Sequence, residues 1–343
     1  MKGSFLLQPV MLVGVAAVFA ASIAAAQRIS RAFDLVARPN PIVSSHRAPV
    51  PYLGGTALIA TYLAVLAVSW ALAGVLPSRD VLARSAVALA FVVFGTVDDA
   101  RPMGPWFKLA TQTLLCAAYL LGVGTPAGPG LALKLLLMVT LVNAYNIVDV
   151  MDGLLCLLSG LAVLGLLATP SLTPEHLIPE LVLMLVGLGV LLLFNRPPAS
   201  IYAGDAGSLT LGFLVAAWGL AAAGDAGVVS ALPVLGLWAV PLLELALVVP
   251  ARVRQGRSQL RGSPDHYSLR LQDQLGWSKW RVLGVTTVLG ACFTAAPWVA
   301  DHLPPPAVAL YAVAAPVAAA VAWFALWRIP PAGPAASRPV NGG

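Results

Sequence analysis

Runs of about twenty apolar residues recur along almost the whole chain, each long enough to cross a hydrocarbon layer as a helix. Eleven such segments can be marked, roughly 4–26, 54–76, 82–97, 107–123, 131–146, 153–169, 179–194, 206–223, 228–250, 281–299 and 306–327. In lipid every backbone polar group must be paired within the protein, so the alternatives are helices or a closed barrel. A barrel would show segments of about ten residues with alternating hydropathy, and none is present. The expected fold is therefore an all-α, polytopic transmembrane helix bundle of about eleven spans. At 59% hydrophobic and 10% charged residues, composition excludes a soluble domain.

The basic residues set the expected orientation. If the loop after the first span is cytoplasmic, sixteen of the twenty Lys and Arg fall inside, and only Lys2, Arg79, Arg84 and Lys134 fall outside. This puts the amino terminus outside and the carboxyl terminus in the cytoplasm. The net charge of +6 follows from that asymmetry and from contact with anionic lipid, so nucleic acid is not needed as a partner. The first apolar run, ending in "ASIAAAQ", resembles a signal peptide, but the basic "QRISRAFDLVAR" after it favours an uncleaved helix. Cys116, Cys156 and Cys292 all lie inside spans and form neither a disulfide framework nor a zinc spacing. No internal repeat is evident. One membrane domain is expected over residues 1–328, followed by a Pro/Gly/Ala-rich disordered tail, 329–343.

The polar residues are not spread evenly. The outside loops are short and hold no polar cluster that looks like a site. Asp98, Asp99, Asp149, Asp152, Asp205, Asp265 and Asp273 all fall on the inside face or just within it. A carboxylate near hydrocarbon costs roughly 2.5–3.5 kcal/mol on insertion scales. A set of them on one face suggests a shared cation or a charged substrate, against the plainer reading of a solvated rim.

Five stretches carry this chemistry. In "HRAPVPYLGGTALI", His46 and Arg47 precede a stiff, Gly-opened helix entry that suits a phosphate, or simply a turn with an interfacial Arg. In "VFGTVDDARPMGPWFKL", Asp98 and Asp99 end one span, and Lys108 begins the next with Gln112 one turn on. In "NAYNIVDVMDGLLCLLSG", Asn143, Asn146, Asp149 and Asp152 recur every three residues along one side of a helix or helical turn, and their oxygens suit a hard cation such as Mg²⁺. In "FNRPPASIYAGDAGSLTLGFL", Asp205 sits between Gly204 and Gly207 with Ser208 next, where small neighbours let a metal or diphosphate approach. The loop 251–280, with Arg257, Arg261 and His266, forms a basic cap that could lie on headgroups or grip a nucleotide diphosphate. Glu244, inside a span after Pro241, is either near the inner end of an acyl groove or hydrogen-bonded within the bundle.

Taken in order, these stretches resemble the polyprenyl-phosphate N-acetylhexosamine-1-phosphate transferase family, which includes the phospho-MurNAc-pentapeptide translocases. "PVPYLGG", "VDDARPMGPWFKLATQ", "NAYNIVDVMDGL" and "YAGDAGSLTLG" are similar to its motifs over about residues 40–290. Val150 and Ala206 depart from the usual Gly and Thr, and the His-rich late segment is reduced to "PDHYSLRLQ". That reduction favours the sugar-phosphate initiators over the MurNAc-pentapeptide branch. The resemblance implies transfer of HexNAc-1-phosphate, GlcNAc-1-phosphate first, from a UDP-sugar to polyprenyl (undecaprenyl) phosphate, releasing UMP. It implies a multi-pass plasma-membrane enzyme with its site on the cytoplasmic face, opening a cell-envelope polysaccharide pathway; a homodimer is compatible with it.

The resemblance also assigns residues. It makes Mg²⁺ the cofactor, with Mn²⁺ as a substitute, held by Asn146 and Asp205. Asp98 or Asp99 would deprotonate or orient the lipid phosphate, and Lys108 would hold the donor phosphate. Asp149 and Asp152 would position the uridine side or support the metal, and Asn143 would bind substrate. Arg47, Arg257, Arg261 and His266 would bind substrate. The competing class is a secondary transporter, which predicts carboxylates near mid-membrane and matched broken helices in two halves.

Overall fold

The structure, a computed structural model, describes residues 9–38, 49–169, 173–224, 233–256 and 263–331. His46, Arg47, Arg257, Arg261 and most of the expected disordered tail lie outside these residues. The helices are α1 (Pro9–Ala32), α2 (Gly54–Ala73), α3 (Arg79–Ala100), α4 (Pro105–Gly122), α5 (Pro129–Val148), α6 (Leu154–Leu167), α7 (Ile178–Asn195), α8 (Gly204–Ala223), α9 (Ala239–Arg254), α10 (Tyr267–Leu275), α11 (Lys279–Thr294), α12 (Ala296–His302) and α13 (Pro305–Arg328). A small antiparallel ribbon joins α1 to α2: β1 (Val36–Ala37) pairs with β2 (Val50–Pro51), Val36 opposite Pro51. The all-α expectation omitted that ribbon.

Within the described residues, each of the eleven expected spans falls on helix. Among the described residues nine helical stretches are long and apolar enough to cross a membrane. The two expected spans outside that set are α4 and α6. The latter has only 14 residues because α5 stops at Val148 and the chain does not re-enter helix until Leu154. Gly153, at φ 78°, takes the left-handed conformation that ends the turn between them. Asn143 and Asn146 therefore share a helix, whereas Asp149 and Asp152 stand on a turn.

The core is built around α8. Its apolar window is 83% buried, against 0% for α13 at the periphery. Lipid tails are as apolar as leucine, so helices in a bilayer gain little from hydrophobicity alone and pack through small residues. Two glycines show this at the start of α8. A Cβ on Gly55 of α2 would overlap the backbone of Gly207 and Ala203, and one on Gly95 of α3 would overlap the backbone of Ala206. The amides of Gly54 and Gly55 also donate to the carbonyls of Tyr202 and Ala203, 3.0 Å each.

Alternating helix direction brings one set of ends together: the ribbon, the ends of α3, α5, α7 and α9, and the starts of α2, α4, α6, α8 and α11. The opposite end holds a buried ionic cluster that the sequence reading missed. Arg84 meets Glu180 side-on, Nη2 to Oε1 at 2.9 Å and Nε to Oε2 at 3.0 Å, and its Nη1 lies 2.7 Å from Asp80. Tyr62 and Trp218 also donate to Glu180, and Tyr119 to Asp80. These contacts tie α2, α3, α4, α7 and α8 together. Glu180→Leu leaves a guanidinium buried without its main partner. It is expected to cost about 3–5 kcal/mol of stability, seen as a lower melting temperature in detergent, with substrate KM values unchanged.

Candidate active site

Asp98, Lys108, Asn146 and Asp205, all singled out in the sequence, meet at the other end, on four helices. Asp98 lies in the last turn of α3. Its Oδ1 accepts the Met103 amide at 2.7 Å, which turns the chain toward α4, where Pro105 occupies the first turn. Its Oδ2 lies 2.5 Å from the Lys108 ammonium. The same ammonium is 2.6 Å from Asp205 Oδ2, so Lys108 bridges two carboxylates. Asn146, on α5, donates from Nδ2 to Asp205 Oδ1 and to Ser208 Oγ, both at 2.9 Å. One turn back, Asn143 donates to Gln112 Oε1 at 2.8 Å.

The adjacent aspartates do different work. Asp99 accepts the backbone amides of Asp205 at 2.8 Å and Ala206 at 3.2 Å. It caps the start of α8 from a neighbouring helix, satisfying amides that a helix start leaves unpaired. Gly204, at φ 68°, leaves no room for a Cβ beside that carboxylate. Asp99 thereby fixes where Asp205 stands, while Asp98 contacts Lys108.

Two cavities flank this set and share Asp149 and Val150 in their linings. One, of about 390 Å³, lies between the ribbon (Val36–Arg38), Tyr52, the turn 149–152, Asn195, Tyr202 and Asp205. The other, of about 320 Å³, lies between α4, α5 and α9. Its polar lining is Lys108, Gln112, Asn143, Asn146, Asp149, Arg252 and His266. Leu109, Ile147, Leu245 and Val249 supply an apolar side. Enclosure raises the Asp149 carboxyl to about 7, and the charges of Asp205 and Asp152 push it the same way.

Asp152 does not join the central set. Its Oδ2 accepts the Ala199 amide at 3.1 Å and the Lys279 ammonium at 2.7 Å. Asn195 accepts the Gly153 amide and donates to the Ile201 carbonyl, 2.8 Å each, fixing the two loops against each other. His266 is buried, with Nδ1 2.9 Å from Glu244 Oε1, and the Tyr267 amide donates to the other Glu244 oxygen at 3.2 Å. With Nδ1–H donating to the Glu244 carboxyl, Nε2 is left for the cavity that His266 lines. Glu244 also walls a separate, apolar cavity of about 220 Å³ between α9, α10, α11 and α13. Asn195 and Lys279 were missed as site residues; an Asn closing an apolar run before "RPP" was the available signal for the first.

Among the described residues no three or more His, Cys, Asp or Glu side chains form a metal cage. Mg²⁺ needs no such cage: it commonly takes one or two carboxylates and completes its octahedron with water and substrate phosphates. Asp205 with the Asn146 amide oxygen is a donor set of that kind, and the amide already contacts Asp205 through its other atom.

The model of glycosyl transferase family 4 matches residues 81–223, the stretch from α3 to α8 that carries Asp98, Lys108, Asn146 and Asp205. A Mycobacterium leprae decaprenyl-phosphate N-acetylglucosaminephosphotransferase is 30% identical over 69% of this chain and 70% of its own length. A Gloeothece citriformis phospho-N-acetylmuramoyl-pentapeptide-transferase is 28% identical over 75% of this chain and 76% of its own. A Streptomyces coelicolor protein described as a glycosyltransferase is 33% identical over 71% of this chain, a match spanning 59% of that relative. With the motifs in order and their side chains gathered at one end of the bundle, the chain belongs to glycosyl transferase family 4, the polyprenyl-phosphate N-acetylhexosamine-1-phosphate transferases.

Proposed function

We propose that this protein transfers GlcNAc-1-phosphate from UDP-GlcNAc to undecaprenyl phosphate at the cytoplasmic face of the plasma membrane. The product is the lipid diphosphate sugar that opens a cell-envelope polysaccharide pathway, and UMP leaves. The observation that carries this reading is a pair of cavities that share Asp149 and Val150, one lined by Asp205 and the other by Lys108, whose side chains are in contact. The cavity under the ribbon is lined by Tyr52, Tyr202, Asp149 and Asp152 and suits a nucleotide. The cavity between α4, α5 and α9 is polar at one side and apolar at the other, which suits a lipid phosphate. The placement of most Lys and Arg at this end supports a cytoplasmic site.

In this reading an oxygen of the lipid phosphate attacks the β-phosphorus of the donor, and the bond from that phosphorus to the bridging oxygen breaks. Lys108 holds phosphate oxygens of the reacting groups. Asp98, in contact with Lys108, orients the lipid phosphate and takes its proton. Asp99 positions Asp205 through the α8 amides. Asp205 and Asn146 would hold Mg²⁺, which when bound neutralises diphosphate charge and improves the UMP leaving group. Arg252 lies at the acceptor cavity, where it can donate to phosphate oxygens, and His266, whose Nδ1 faces Glu244, presents Nε2 there to accept from a hydroxyl.

The donor is tested by comparing initial rates with UDP-GlcNAc, UDP-glucose and UDP-MurNAc-pentapeptide at equal concentration and saturating lipid phosphate. UDP-GlcNAc is expected to be fastest. UDP-glucose should be poor because donors built for an acetamido group go unpaired. Faster turnover of the MurNAc-pentapeptide donor would move this chain to that branch of the family.

A further inference from the structure

The Lys279–Asp152 pair is not explained by either the fold or the reaction just described. Lys279 opens α11, whose start is capped by Ser278 accepting the Arg281 amide at 3.2 Å. The positive end of a helix dipole disfavours a cation there, so the helix itself gives no reason for lysine. Its ammonium instead reaches Asp152 Oδ2 at 2.7 Å, with side-chain exposures of 19% for Lys279 and 6% for Asp152. That oxygen also takes the Ala199 amide. One ion pair thus joins α11, the turn 149–153 and the loop 196–203.

Asn195 already holds the turn at Gly153, and Lys279 holds it at Asp152. The turn lies between the end of α5 at Val148 and the start of α6 at Leu154, so no helical ladder holds it. It also forms one wall of the cavity under the ribbon through Asp149, Val150, Met151 and Asp152. Two carboxylates on that wall would repel an anionic donor. Lys279 neutralises the second of them and, with Ala199, fixes its position.

We propose that Lys279 is a positioning residue for the nucleotide donor, acting through Asp152 on the wall of the cavity under the ribbon. This rests on the reading above that this cavity takes the donor. Lys279→Met should raise the KM for UDP-GlcNAc by about tenfold, the effect of losing one well-formed charged contact. The KM for undecaprenyl phosphate should move less than about twofold, with kcat nearly unchanged. Lys279→Arg should restore the donor KM. Adding Asp152→Asn to Lys279→Met should recover part of it, because the unpaired carboxylate is gone.

Binding of UDP alone, measured by calorimetry on the purified protein, gives a second readout independent of turnover. It should weaken about tenfold in Lys279→Met. Equal loss for both substrates together with a lower melting temperature would make the pair a structural brace and overturn the proposal. Unchanged UDP affinity in Lys279→Met would overturn it as well. A wild-type protein that binds UDP but turns over no UDP-sugar would instead sink the reading of the reaction, leaving the Lys279 comparison decided by UDP binding.

Discussion

Asp205→Asn is expected to lower turnover by about a thousandfold or more, the scale seen when charge stabilisation at a reacting centre is removed. Asp205 accepts from Lys108 and Asn146 at once, at 2.6 and 2.9 Å. An amide in its place carries no charge for Lys108 or a divalent cation, and whichever way it is turned its NH₂ group faces another donor, Lys108 or Asn146. The fold should survive, because Asp99 caps α8 through the backbone amides of residues 205 and 206 rather than through this side chain. The measurements are initial rate at saturating substrates and melting temperature in detergent. Near-normal activity in a folded variant would remove Asp205 from the reaction.

Gly95→Ala should be nearly as damaging with no functional side chain touched. The new Cβ would meet the backbone nitrogen and Cα of Ala206, and a helix backbone cannot step aside as a side chain can. α3 and α8 must separate, which stretches the Asp99 hydrogen bonds and opens the Asp98–Lys108–Asp205 set. Overpacking of this kind costs about 1–3 kcal/mol. A displacement near 1 Å at the reacting groups costs about a hundredfold in rate. Gly160→Ala is the control: nothing lies within 4 Å of a Cβ there, so both stability and rate should hold. A Gly95→Ala protein with wild-type rate and melting temperature would show that this contact does not set the site.

Much of this was legible in the chain itself, for identifiable reasons. Apolar run length reports helices directly, and each expected span falls on one. The carboxylates, Lys108 and the Asn pair stood at run ends, where helix reversal brings them together. What stayed hidden depends on contacts between distant segments. Asp98 and Asp99 are adjacent and chemically identical, and only the approach of α8, 106 residues along the chain, separates their roles. The three-residue spacing from Asn143 to Asp152 suggested one continuous stripe, but α5 ends at Val148, so the last two aspartates belong to a turn. Arg84 and Glu180 are 96 residues apart, and each alone resembles an interfacial charge, so their buried pairing left no local trace.

The most direct test follows the two phosphorus atoms of the donor. Purified protein is given undecaprenyl phosphate and UDP-GlcNAc carrying radiolabelled phosphorus at either the α or the β position, and the lipid and nucleotide products are separated. Phosphoglycosyl transfer sends the β label into the lipid and leaves the α label in UMP. A lipid product bearing sugar without the β label, or release of UDP in place of UMP, would contradict the assigned reaction.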